Sequence, residues 1–264
     1  MSFSSLLTVA LAIAIVLIAS TPESARAATD IGRATEITTS VTGTMDSQSI
    51  VLKRGDEVFA NQTLTTDSKG VGQFEFRDQT KLAIGPGSTI VLDNFVYNPK
   101  ASGSKIAINL ARGSFRFITG KANHDAYEIT TPTATIGVRG TAFDVYVSDT
   151  GELAIAMLNG AVEVCPQRGA CRLNNVVGRF LQMTVDGVFS LHDKWDSTLF
   201  NGVALKTALP FIADQNLLVP ALREQTKIVA SYLGGATTAA DKTVKTLTSP
   251  KLRLPLFKLP RLFK

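Results

Sequence analysis

The sequence predicts an all-β domain, solenoid-like or built as stacked antiparallel sheets, with a short α-helical C-terminal region. Three observations carry that expectation. Between Ile37 and Phe189 the chain offers short apolar-rich runs, among them SIVL, QFEF, KLAI, KIAINL, SFRFI, AYEITT, AFDVYV, LAIAML, AVEV and FLQMTV. Many of them alternate apolar with polar residues, as a half-buried strand does because successive side chains face opposite ways. The breaks carry turn chemistry at Lys53-Arg54-Gly55-Asp56, Asp67-Ser68-Lys69-Gly70, Gly85-Pro86-Gly87, Asn98-Pro99 and Asp186-Gly187. No sustained 3.6-residue period interrupts this stretch.

Taken in order, the chain opens on Leu6–Ala19, an apolar run of 14 residues interrupted only by Thr8. Spanning a bilayer takes roughly 20 apolar residues, so the run is short for a membrane helix. Ala25-Arg26-Ala27 then supplies a small-x-small cleavage pattern, and residues 1–27 read as a signal peptide. An uncleaved anchor and a buried helix are the alternatives. Export places the protein in the periplasm or beyond. Residues 28–264 remain, enough for one large or two modest domains. We divide them into a β domain over 28–195, a partly helical segment over 196–235, and a linker with a basic-apolar tail over 236–264.

Within the β region, an apolar residue, a glycine and a further apolar strand recur at Leu52-Gly55-Val58, Ile84-Gly87-Ile90, Leu110-Gly113-Phe115 and Leu158-Gly160-Val162. Strand-Gly-strand units of this kind suit a solenoid or stacked sheets. Asn159-Gly160, between LAIAML and AVEV, is the sharpest hairpin signal. Cys165 and Cys171 bracket a Pro/Gly-containing loop and read as a local disulfide in an oxidising compartment. No histidine lies near them, and zinc takes about four ligands, so a metal site is not expected.

Net charge is +5, yet the segment from Ala221 onward holds nine Lys or Arg against two acids, leaving −2 for the rest. The basic pI therefore belongs to the C-terminal part and does not argue for nucleic acid binding by the body. Ala221–Leu233 is helix-compatible, with Leu222, Ile228, Val229 and Tyr232 on one face and Pro220 suited to a first turn. The final run, PKLRLPLFKLPRLFK, interleaves Lys251, Arg253, Lys258, Arg261 and Lys264 with Leu and Phe, and its prolines oppose a continuous helix. It reads as a terminal strand packed on the body, an attachment to an anionic membrane surface, or a partner-docking segment.

The most informative stretch is Thr131–Val147, within the segment Tyr127–Val147 that reads YEITTPTATIGVRGTAFDVYV. Pro132 suits an edge or bend. Gly137 and Gly140 flank Val138-Arg139 and permit tight turning or close approach of another chain. TPTATIGVRGT-x-F-x-V resembles the signature of the FecR domain. Further pieces match that pattern in order: Gln73–Phe76 with Asp78–Leu82, Ile84–Ser88, LARGSFR at Leu110–Arg116, and Asn159–Val164. The resemblance covers residues 54–164. It implies an extracytoplasmic binding or regulatory module. In the regulators that name the family, a cytoplasmic segment before the membrane holds a sigma factor. Only about five residues precede the apolar run here, so we expect a stand-alone exported form without that segment.

Catalysis is not expected. His124 and His192 each precede an Asp, but neither lies near a nucleophile elbow or a metal-spaced partner. The glycines around Arg139 do not form a phosphate-binding loop, and no cofactor is implied. Candidate binding residues are Arg139, Gly137, Gly140 and Thr141. Arg139 presents its planar fork to a partner carboxylate, or pairs with Asp144 or Glu128 within the sheet. The partner is an envelope protein or an envelope glycan. The single Trp195 weakens the glycan reading, because glycan sites favour aromatic faces.

Overall fold

A computed structural model describes residues 29–96, 105–123, 126–223, 229–230 and 232–233. The expected signal peptide, His124, the middle of the Ala221–Leu233 run and the tail with Lys251, Arg253, Lys258, Arg261 and Lys264 lie outside the described residues.

The described chain is all-β up to its C-terminal part. Short strands come first: β1 (Asp30–Thr38), β2 (Val41–Met45), β3 (Gln48–Val51), β4 (Glu57–Phe59), β5 (Gln62–Thr66), β6 (Val71–Phe76), β7 (Lys81–Ile84) and β8 (Thr89–Val96). Then follow β9 (Lys105–Ile118), β10 (Tyr127–Thr130), β11 (Ala134–Val147) and β12 (Leu153–Pro166), and finally β13 (Arg172–Asn174), β14 (Phe180–Met183) and β15 (Phe189–His192).

Their pairings resolve into two layers. The first runs β3-β2-β5-β8-β9-β10-β11-β12-β13 and the second β4-β1-β6-β7-β9-β11-β12-β14-β15. Three 14-residue strands belong to both. The first half of β9 pairs with β8 and β10, and its second half with β7 and β11. Strands β11 and β12 likewise change layers together, through a register shift between Arg139 and Ala142. Named strands pair antiparallel except β9 with β10. The stacked antiparallel arrangement is thus the one the chain adopts. A single hydrophobic cluster fills the space between the layers. It takes Leu64, Ile90, Ile108, Ile136 and Val164 from the first, and Phe74, Leu82, Phe117, Phe143 and Ile155 from the second.

The glycine repeat is the device that makes the corners. Gly55, Gly87, Gly113 and Gly160 all have positive φ, and each sits where the chain passes from one layer to the other. Side chains resist that backbone conformation and glycine does not. One expectation is corrected here. Asn159-Gly160 does not close a hairpin, because β12 runs through it and keeps β11 as its neighbour on both sides. The tight turning that Gly137 and Gly140 permit falls to Gly140. Gly137 lies mid-strand in β11, and Gly140, at φ +59°, is that strand's corner. A left-handed glycine serves a turn and a corner equally well, and long-range pairing decides which.

The outer face of the second layer is covered by the chain after Trp195. This strap contains two four-residue helices, α1 (Leu205–Ala208) and α2 (Pro210–Ala213), and 3-10 turns at Ser197–Phe200, Gln215–Leu217 and Pro220–Leu222. Pro210 keeps α1 and α2 from fusing, since it has no N–H to donate and fits a first helical position. The strap buries Leu209, Ile212 and Tyr232 on Ala142, Ala156, Leu158 and Phe180, and Phe211, Leu218 and Leu222 on Val71 and Ala83. Trp195 stacks on Phe200 and donates to the Val203 carbonyl, so it is a packing residue of the strap. Of the face expected on the Ala221–Leu233 run, Leu222, Val229 and Tyr232 are buried.

Candidate functional site

The signature stretch begins with a turn held by its own side chains. The Thr131 hydroxyl accepts from the Ala134 N–H and donates to the Ala134 carbonyl, both at 3.0 Å. Pro132 lies in that turn, outside β10 and β11, and its carbonyl accepts from Gln167 Nε2 at 2.7 Å. At the corner, a Cβ on Gly160 would stand 2.2 Å from the Gly140 carbonyl, so the bend of β12 nests against that of β11 only because residue 160 is glycine. Thr141 is buried, and its main chain exchanges hydrogen bonds with Thr119. Gly140 and Thr141 thus stand in the corner of β11, where the Thr141 hydroxyl is buried with no hydrogen-bond partner among the described residues.

Gly137 and Arg139 come together on the outer face of the first layer. Across the sheet Gly137 is flanked by Glu128 of β10 and Glu163 of β12. A Cβ there would meet only the Glu163 carbonyl, at 3.8 Å, so the missing side chain leaves open space. The Arg139 side chain is 63% exposed and sits 3.6 Å from the Glu163 carboxylate. It pairs with neither Asp144 nor Glu128, because Asp144 lies past the corner in the second layer and the Glu163 side chain stands on the adjoining strand of the same face. An ion pair this exposed stabilises little, typically under about 1 kcal/mol, which leaves the guanidinium free for exchange. Thr135 and Cys165 complete a shallow recess of two carboxylates, one guanidinium and small side chains. Cys165 is bonded to Cys171 as expected, stapling the loop that leads into β13.

Other motif residues hold the fold from inside. Asp78, Thr80 and Tyr127 are buried together. The Tyr127 hydroxyl and the Thr80 hydroxyl each donate to Asp78 Oδ2 at 2.6 Å, and the Gly120 N–H donates to the Tyr127 oxygen. Burial first, then the bond to Asp78, raises the Tyr127 phenol above its ordinary value. The GPGS and LARGSFR pieces meet at another corner. Ser114 N–H donates to Ser88 Oγ at 2.9 Å, and a Cβ on Gly113 would overlap Ser88.

Sequence reasoning missed one pair altogether. Arg116 is fully buried, with Nε 2.5 Å from Asp144 Oδ1 and Nη2 2.8 Å from Oδ2. Its remaining Nη1 donates to the Leu222 carbonyl of the strap, and its guanidinium lies 5.9 Å from the Phe211 ring centroid. Burial raises the Asp144 carboxyl above its usual range, while the Arg116 charge pulls it back down. The available signal was SFRFI beside AFDVYV, where Arg116 and Asp144 fall at matching alternate positions.

His192 ends β15 with its ring Nε2 bonded to Ser190 Oγ at 2.8 Å. No group of three or more potential metal ligands occurs among the described residues.

The family described as FecR protein matches residues 62–163. No curated protein matches the chain. Two crystal structures of a protein from Parabacteroides distasonis, provisionally described as an anti-sigma factor, align at 14% identity with TM-scores of 0.40 and 0.39. Each alignment covers 49% of this chain and 58% of that one, so the likeness spans little more than half of the other protein. The corners, the Thr131 turn and the recess thus fall in or beside the matched stretch, and the chain carries a FecR domain over residues 62–163.

Proposed function

We propose that the protein is an exported, non-catalytic regulatory module of the bacterial envelope that binds another envelope protein through the outer face of its first layer. The observation that carries this reading is the contrast between the layers. Among the described residues nothing packs on the first layer's outer face, whereas the second is covered.

The chemistry of that face supports a protein partner over a glycan. Register aligns Thr44, Thr63, Val91, Asn109, Thr130 and Thr135 in one cross-strand row, half-buried or exposed and uncharged. The row offers no aromatic platform for a sugar ring. Beside it lies the recess, where Arg139 can leave Glu163 for a partner carboxylate. The Cys165–Cys171 disulfide fits an oxidising compartment and so supports export.

Photo-cross-linking from position 137 in living cells tests the reading. One dominant envelope protein should be captured, and Arg139→Ala should reduce its yield severalfold. Gly137→Trp, which fills the recess, should reduce capture from position 135 in the same way. Folded variants that keep every cross-linked partner would remove the recess from the interface.

A further inference from the structure

The strap is bound in a manner that resembles peptide recognition. Gln73, Arg116 and Asp144 belong to one cross-strand row on the second layer's outer face, with Ala83 between the first two. Gln73 Nε2 donates to the Leu217 carbonyl at 3.1 Å, and its Oε1 accepts from the Val219 N–H at 2.8 Å. Ser114 Oγ lies within bonding distance of the Thr207 and Ala208 carbonyls, at 3.0 and 2.7 Å. Arg116 Nη1 donates to the Leu222 carbonyl at 3.2 Å. In each case a sheet side chain reads strap backbone, which any peptide can supply. Side-chain identity enters through the buried Leu209, Ile212, Leu218 and Leu222, through Phe211 against the Arg116 guanidinium, and through Pro210, packed on Gly85.

A second feature separates reader from occupant. Gln73, Ser114, Arg116 and Asp144 lie within the FecR match at 62–163, and the strap lies wholly outside it. No strand of the second layer pairs with the strap.

We propose that the outer face of the second layer is a peptide-binding face, occupied in cis by residues 205–222. Its ligand class is an apolar, proline-containing segment of a partner, with a large apolar anchor entering beneath Arg116. Such a segment binds by displacing the strap, and the strap sets the threshold for binding. This surface is separate from the Arg139 recess and does not rest on it.

The test uses the full chain and a fluorescent peptide of residues 205–223 as the probe. Val219→Pro removes one N–H given to Gln73 at a residue whose φ of −63° already suits proline, after an extended Leu218. It weakens the strap without touching the sheet. Peptide uptake, read by fluorescence anisotropy, should rise about fivefold to tenfold over the unmodified chain, as expected for one lost hydrogen bond. Phe211→Ala in the chain should raise uptake further, and the same change in the probe should abolish uptake. Strap amides should exchange with deuterium faster in Val219→Pro while those of β9 and β11 hold. The proposal is overturned if uptake stays level while strap exchange rises. It is equally overturned if strap and β9 amides exchange only together, since the strap is then inseparable core. Should Phe211→Ala fail to fold, Val219→Pro decides alone.

Discussion

The two outer faces of this sandwich are made from the same strands and have opposite fates. Strand β11 contributes Thr135, Gly137 and Arg139 to a face that no described element covers, then turns its corner and contributes Asp144 to a face that the strap seals. Polar side chains appear on both. On the bare face they are small or loosely paired, as with Arg139 and Glu163. On the sealed face each must find a partner, because an unmet buried polar group costs about 1–3 kcal/mol and a lone buried charge more. That requirement explains why Gln73, Ser114, Arg116 and Gln182 all bond to strap carbonyls. Polarity does not identify a surface. Partner geometry does.

The largest break in the comparison is expected at Arg116. Arg116→Ala strands a buried Asp144 carboxyl and should lower unfolding free energy by about 3–5 kcal/mol in urea titrations. Arg116→Met with Asp144→Leu should recover most of that loss, since a well-packed apolar pair replaces a buried ion pair at little cost. Next comes the staple beside the recess. Cys165→Ser with Cys171→Ser should cost about 2 kcal/mol by closure entropy, with the recess and its cross-links unchanged.

Alkaline pH sharpens the contrast more gently. Burial raises the phenols of Tyr127 and Tyr232 in the folded state. Their contribution is constant below the ordinary phenol value near 10 and is lost as pH rises beyond it, at about 1.4 kcal/mol per unit for each phenol. Absorbance at phenolate wavelengths should therefore show these two tyrosines ionising only with unfolding. Free ionisation in a folded chain would contradict their burial. The smallest effect belongs to the bare face, where Arg139→Ala should move stability by no more than about 0.5 kcal/mol.

Much of the fold was legible because alternation and turn chemistry are local. The strand runs, the glycine repeat, the Cys165–Cys171 bond and the FecR signature all follow from neighbouring residues. The misreadings were long-range. Asn159-Gly160 has the composition of a hairpin, and only the persistence of β11 beside both halves of β12 makes it a corner. Arg116 and Asp144 occupy alternate positions, and the sequence does not say that a strap from residues 205–222 will cover them. One local sign of coverage was present. LAIAML lacks a polar alternate, as a strand buried on both faces must, and Leu153–Leu158 is buried throughout. The recess was half-legible. Gly137 and Arg139 are two residues apart and share a face by alternation, while Glu163 arrives from a strand that spacing alone does not align.

The contrast between the faces is tested most directly by two near-isosteric substitutions. Ser49→Cys places a thiol on the exposed edge of the first layer, and Ser114→Cys places one beneath the strap. Under native conditions a thiol reagent should modify position 49 at close to the rate of an unfolded peptide. Position 114 should react more than about a thousandfold slower, because its exposure requires the covered layer to open. Equal rates at the two positions would contradict the account.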